Sequence, residues 1–447
     1  MNIVLLSGGS GKRLWPLSND IRSKQFIKIF KKDDGSYQSM LQRVYHKISK
    51  VDESANVVIA TSKSQVSSIY NQLGENVEIS VEPCRRDTFP AIVLATAYLE
   101  DVKKLDPEES IVICPVDPYV EDDYFLALKE LSAQAEKGES NLVLLGIEPT
   151  YPSEKYGYII PEGSEKVTNV STFKEKPTEE IANDYIAKGA LWNGGVFAYK
   201  LKYVMEIAHK LIEFEDYYDL LEKYESLPKI SFDYAVVEKE KKIQVQRFKG
   251  QWKDLGTWNT LTEAMEDKVV GKGILNKDCT NVHIVNDIDV PILAMGLHDV
   301  VISASPEGIL VSDKEQSSYI KPFVDKFEQQ IMFAEKSWGS FRVLDVEKES
   351  LTIKVTLKAG RAMNYHNHKH RDEVWVVIEG EGRAVVDNVE KNVLAGDVIS
   401  MPIGSFHTIF AVSELKIIEV QIGKDISVHD KYKTRYDRED KHDFIKN

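Results

Sequence analysis

The chain has 447 residues, 57 Lys and Arg against 71 Asp and Glu, and a formal net charge of −14, so a sequence-independent grip on nucleic acid is excluded and cationic side chains for phosphates must be concentrated locally. Three cysteines, Cys84, Cys114 and Cys279, are odd in number and not in a CxxC spacing, which speaks against a disulfide framework or a thiolate zinc site and fits a reducing cytoplasm. The apolar run Ile3–Leu6 is too short for a signal segment and no run of about 18 apolar residues follows, so no membrane partner is expected. From residue 1 to 265, apolar β-branched runs (Ile3–Leu6, Val57–Ala60, Ile111–Cys114, Leu142–Leu145) alternate with amphipathic stretches (Met40–Lys50, Ala91–Lys104). The alternation predicts an α/β, Rossmann-like domain with a mixed, mostly parallel sheet, whose ligands collect beyond the carboxyl ends of the strands. Residues 266–335 lose the helical period, and Val282–Val285, Asp299–Ser303 and Gly308–Val311 predict a short β linker module with its own core. From 336 to 447 the pattern is strand and turn, punctuated by Gly360, Gly380, Gly382, Gly396 and Gly404, as in a β-barrel.

Ser7-Gly8-Gly9-Ser10-Gly11-Lys12-Arg13-Leu14 follows the first strand, and glycines there let backbone N–H groups approach an anion while Lys12 and Arg13 supply charge. The spacing is neither that of a P-loop nor that of a dinucleotide fingerprint, and a bare glycine cluster is equally well read as a tight strand-to-helix turn. The continuation Trp15-Pro16-Leu17-Ser18 and Lys24-Gln25-Phe26 closely resembles the signature of mannose-1-phosphate guanylyltransferases. Glu82–Ala91 resembles the nucleotide-side loop of that family, Pro115-Val116-Asp117 its metal-binding strand end, and Lys155–Ile159 its sugar-side strand. Phe173–Pro177, Trp192–Phe197, Phe232–Ala235 and Trp252–Trp258 complete eight matches in the family's order. The chain departs from the pattern at Lys12 (usually Ser or Thr), Ser23 (Pro), Asp87 (Asn), Phe89 (a small residue) and Gly194 (Ser or Ala).

The resemblance implies transfer of a nucleotidyl group from GTP to a hexose 1-phosphate, mannose 1-phosphate first, with pyrophosphate leaving. Both reactants are polyanions, so such catalysis is positioning plus charge neutralisation. It implies Asp117 and Asp254 as Mg²⁺ ligands, although either aspartate alone reads equally as a turn or cap residue. It further implies Arg13 for the β- and γ-phosphates, Lys24 for the α-phosphate, and Lys176 for the sugar phosphate. Gly8, Gly9, Gly11, Lys12 and Arg86 would complete the nucleotide site. Glu82 would face the base, because a carboxylate can accept two N–H groups from guanine. Glu175 and Asn193 would take sugar hydroxyls, and Gly157 and Gly195 would allow close backbone approach.

In the last domain, Gly360-x5-His366-x-His368-x4-Glu373-x6-Gly380 matches the first cupin motif, and Gly396-x5-Pro402-x-Gly404-x2-His407 matches most of the second. Two imidazoles two residues apart on a strand share a face, so His366 and His368, with Glu373 and His407, predict a site for a divalent transition metal such as Zn²⁺. The segment resembles the type II phosphomannose isomerase domain fused to many of these transferases, which carries Gln at the position of His366 and His at that of Val374. It implies interconversion of mannose 6-phosphate and fructose 6-phosphate, with Arg371 and Arg435 as phosphate anchors. The alternatives are a cupin that senses sugar or stabilises assembly, and a transferase for another hexose or base. The family resemblance also implies a homodimer in cell-surface polysaccharide synthesis.

Overall fold

The computed structural model describes residues 1–9, 12–19, 21–327, 331–424, 426–427 and 430–436. Its largest element is a nine-stranded sheet in the order Glu78–Glu82, Asn56–Ser62, Asn2–Ser7, Ser110–Pro115, Leu191–Lys200, Leu142–Ile147, Ile243–Phe248, Val167–Lys174, Tyr158–Pro161. The first four strands are parallel, with Leu5 opposite Ile59 and Cys114, as the βα alternation predicts. Farther along the sheet Leu142–Ile147 and Ile243–Phe248 again pair parallel and run in the same direction, so the sheet is mixed but mostly parallel, and two strands break the pattern. Leu191–Lys200 runs antiparallel to both neighbours, and Val167–Lys174 pairs antiparallel with Ile243–Phe248 and with its hairpin partner Tyr158–Pro161. A strand buried on both faces reads the same in either direction, so composition could not show the reversal. The reversal has a consequence for chemistry. The amino end of Leu191–Lys200, carrying Asn193 and Gly195, arrives at the edge where the parallel strands present their carboxyl ends.

Helices cover both faces of the sheet. Met40–Val51 starts with a capping box between Ser39 and Gln42 and buries Met40, Leu41, Val44 and Ile48, one stripe of the 3.6-residue period. The helix expected over Ala91–Lys104 begins at Thr88, tolerates Pro90 in its first turn, and passes into a wider turn over Tyr98–Val102. Two apolar cores, one on each face, hold the sheet between helices.

The linker strands form a four-stranded sheet of Val269–Val270, His283–Asn286, Val300–Ser305 and Gly308–Asp313 and a parallel pair, Gly273–Leu275 with Ile292–Ala294. The module has a small cluster of its own around Ile284, Ala294 and Ile302, and it also shares a core with the first domain. Leu14, Leu17, Ile27 and Phe30, from the segment after the first strand, pack with Trp258, Val285, Val301, Ile320 and Val324 in one cluster. The seam is also polar: Ser305 Oγ donates to Pro16 O at 2.7 Å, and Arg22 pairs with Asp287 at 2.6 Å.

Phe333–Lys336 already belongs to the last domain, where it edges a six-stranded sheet packed on a five-stranded one around Trp375, Leu357, Ile409 and Leu415. This barrel docks on helix Val66–Leu73. Asn71 Nδ2 donates to the carbonyls of Lys336 and Gly339 at 2.8 and 2.7 Å, and Gln72 Nε2 donates to Glu335 at 2.7 Å. Among the described residues, no helix is long and apolar enough to cross a membrane.

Candidate active site

Lys24 leads a short 3₁₀ turn, Lys24–Phe26. Its ammonium lies 2.9 Å from Asp117 Oδ2 and 3.6 Å from Asp254 Oδ1. Asp117 follows strand Ser110–Pro115, while Asp254 is delivered by a two-stranded ribbon in which Trp252–Asp254 pairs with Pro118–Val120 and Asp254 faces Pro118. Residues 137 positions apart in sequence therefore form one acidic pair. Burial alone would depress the Lys24 ammonium, but Asp117 and Asp254 outweigh it and hold its pKa above the ordinary lysine value. A Cβ placed on Gly256 would lie 3.2 Å from Asp254 Oδ2 and 3.4 Å from Arg13 Nη1, so Arg13 borders the same spot. Two carboxylates gathering cations are a hard-oxygen donor set, which fits Mg²⁺.

Beside this cluster a cavity of about 380 Å³ is lined by Gly8, Gly9, Glu82, Arg85, Arg86, Asp87, Thr88 and Asp117. Gly9 has φ +118°, a conformation side chains disfavour. Glu82 is buried, and Tyr224 donates to its Oε2 at 2.7 Å, which leaves the other oxygen for a ligand. Burial raises the Glu82 carboxyl above its ordinary pKa. Arg86 borders the cavity while its Nε donates to the carbonyl of Leu227 at 2.9 Å. The Lys12 ammonium pairs with Asp325 at 3.1 Å, across the seam with the linker. Gly11 lies outside the described residues.

The sugar-side residues converge from three strands. Asn193 N donates to Gly157 O at 2.8 Å, Asn193 Nδ2 donates to Asp233 Oδ1 at 2.6 Å, and Gly195 N donates to Asn193 Oδ1 at 3.1 Å. A Cβ on Gly157 would fall 2.4 Å from Glu175 Oε2 and 2.9 Å from the Phe173 ring, so any larger residue would displace Glu175 or Phe173. Glu175 Oε1 pairs with Lys176, whereas its Oε2 is buried without a hydrogen-bond partner, as is Trp252 Nε1. A buried carboxylate oxygen left open is costly unless a ligand donor meets it. The sequence assigns no role to Asp233, although it lies in a matched motif. Burial and the charge of Glu175 push its carboxyl up to about 6.

The second cluster is in the barrel. His366 faces His407 across paired strands, and Glu373 enters from strand Asp372–Glu379. One ligand atom from each of His366, His368, Glu373 and His407 lies within 4.8 Å of the others, all buried. Each ring is oriented through Nδ1 by a carbonyl: Asn364 for His366 at 2.6 Å, Ser405 for His407 at 2.9 Å, and Asp430 for His368. That leaves the Nε2 atoms inward, and His407 Nε2 is buried without a hydrogen-bond partner. Burial, then the Lys431 ammonium, push His366 down to about 2, so it is a neutral donor. Three imidazoles and a carboxylate fit a divalent transition metal. Arg371 is turned away from the expected phosphate role: it is buried, its Nε donates to Glu373 Oε1 at 3.0 Å, and its Nη1 donates to Ser427 O at 2.8 Å. Arg435 is exposed, two residues beyond the strand Tyr432–Lys433 that pairs with His366 and Asn367.

The sequence matches known proteins along nearly its whole length. Residues 2–269 match the family model described as Nucleotidyl transferase. The chain belongs to the nucleotidyl transferase family. Residues 325–435 match a second model, Mannose-6-phosphate isomerase C-terminal. The chain is 29% identical to mannose-1-phosphate guanylyltransferase 2 of Escherichia coli, over 98% of each chain. It is also 29% identical to the alginate biosynthesis protein AlgA of Pseudomonas aeruginosa, over 96% of this chain and 95% of that one. Among solved structures it is similar to one titled mannose-1-phosphate geranyltransferase, from Thermus thermophilus, with a TM-score of 0.61 and 28% identity over 73% of this chain and 98% of that one.

Proposed function

We propose that the chain transfers the guanylyl group of GTP to α-D-mannose 1-phosphate, giving GDP-mannose and pyrophosphate for cell-surface polysaccharide synthesis. The observation that carries the reading is Lys24 between Asp117 and Asp254 at the carboxyl edge of the sheet, with a cavity of about 380 Å³ on one side and the open Glu175 oxygen on the other. An oxygen of the sugar phosphate attacks the α-phosphorus, and the bond from that phosphorus to the oxygen leading to the β-phosphorus breaks. Lys24, kept charged by its neighbours, draws in the α-phosphate. Arg13 receives the departing pyrophosphate and Lys176 holds the sugar phosphate. Glu175 and Asn193 orient the hexose, Gly195 keeps the backbone clear, and Glu82 accepts from the base. A magnesium ion held by Asp117 and Asp254 supplies neutralisation of phosphate charge when bound. The full-length relatives named as guanylyltransferases support GTP and mannose 1-phosphate as substrates. The reading places the protein in the cytoplasm as a homodimer. Product analysis with each nucleoside triphosphate tests it.

A second reading, isomerisation of mannose 6-phosphate and fructose 6-phosphate, is favoured by the inward His366, His368, Glu373 and His407 set. A transition metal there supplies polarisation of a carbonyl when bound. Arg435 is the remaining candidate for the 6-phosphate, since Arg371 holds Glu373 in place. Isomerase turnover after loading separately with Zn²⁺, Mn²⁺, Fe²⁺ or Co²⁺ tests this reading, and no turnover with any of them leaves a sensing or assembly role.

A further inference from the structure

Behind the glycine loop lies a buried polar chain that the transfer reading has not used. Ser23 sits at the N-cap position of the turn Lys24–Phe26, where serine ordinarily caps, yet its side chain makes no capping bond. The hydroxyl is turned the other way and donates to the carbonyl of Gly9 at 2.8 Å. Gln65 Nε2 donates to the same hydroxyl at 2.6 Å, and Gln65 Oε1 lies 2.9 Å from the hydroxyl of Thr61. Ser23, Gln65 and Thr61 are fully buried, so each of these bonds forms out of water.

We propose that Ser23, held by Gln65, is a positioning residue for the triphosphate: it ties the Gly9 carbonyl inward and fixes the loop relative to Lys24, its own neighbour in the chain. A carbonyl oxygen turned toward the cavity would repel a polyphosphate, whereas one sequestered by a buried hydroxyl does not. Gly9 lines the cavity and Lys24 meets Asp117 at its rim, so one hydroxyl couples both sides of the nucleotide site. The inference rests on the transferase reading, and binding separates the two.

The test is calorimetric binding of GTP, ATP, UTP and CTP with magnesium, alongside steady-state turnover, for the wild type, Ser23→Ala, Ser23→Thr and Gln65→Leu. Ser23→Ala should weaken the preferred triphosphate about tenfold, the loss expected when one well-made buried hydrogen bond is removed. KM for mannose 1-phosphate should stay within about twofold, and Ser23→Thr, which keeps the hydroxyl, should recover most of the loss. Gln65→Leu should fall in the same direction. Unchanged triphosphate binding in Ser23→Ala, or equal losses for both substrates, overturns the inference. A wild type that binds triphosphate without transferring it overturns the transferase reading alone, and this inference is then decided by the binding data. A wild type that binds none of the four overturns both.

Discussion

Asp117 and Asp254 are exchanged most informatively for asparagine, which keeps shape and removes charge. Each variant should lower transfer by several orders of magnitude, because the loss falls on the neutralisation of a highly charged transition state. Near-normal turnover in either would remove that residue from the metal site. Asp233 offers a test with a sign. Its carboxyl titrates near 6 in the folded protein against an ordinary 3.8, so the fold binds the protonated form more tightly. Stability is therefore lost as pH rises from the ordinary value through about 6, and the full penalty remains above it. Asp233→Asn keeps an acceptor for Asn193 and should raise the melting temperature at pH 8 while leaving it nearly unchanged at pH 4, as thermal scans at the two pH values would show. An equal shift at both would deny the burial of that charge.

Among the elements, the segment from Leu14 to Phe30 decides how the nucleotide site is held, since it carries Lys24 and shares a core with the linker. Arg22 is the polar hinge of that seam, with its guanidinium 2.6 Å from Asp287. Asp287→Ala leaves the well-buried guanidinium without that partner, and removing one member of a partly buried pair is destabilising. The variant should melt a few degrees lower and show a raised KM for the triphosphate with little change for the sugar phosphate. Unaltered triphosphate kinetics would mean that the linker supports only the fold. Sequence showed the strands themselves well: Ile3–Leu6, Ile111–Cys114 and Leu142–Leu145 lie within observed strands. It could not show the direction of Leu191–Lys200, since pairing direction leaves no mark on a strand buried on both faces. Nor could it show that Lys12 pairs with Asp325 or that Arg371 faces Glu373, because both contacts depend on tertiary placement. The motif matches located the lysine and both aspartates, yet the hydroxyl of Ser23 and the carboxyl of Asp233 acquire meaning only through partners far along the chain.

For the whole molecule, the barrel keeps its own core and metal-fitting cluster while docking through helix Val66–Leu73. His368→Ala should lose bound metal, read by elemental analysis, and any isomerase turnover, with nucleotidyl transfer preserved to within about twofold. Loss of both activities with an intact thermal transition would show that the barrel's centre governs the transferase. Incubating the pure protein with mannose 1-phosphate, magnesium and each of GTP, ATP, UTP and CTP in turn, and resolving the products, tests the proposed transfer most directly. GDP-mannose and pyrophosphate should form in equal amounts with GTP, and neither once magnesium is chelated. No nucleotide sugar with any of the four, from a folded protein supplied with magnesium, would contradict the proposed transfer.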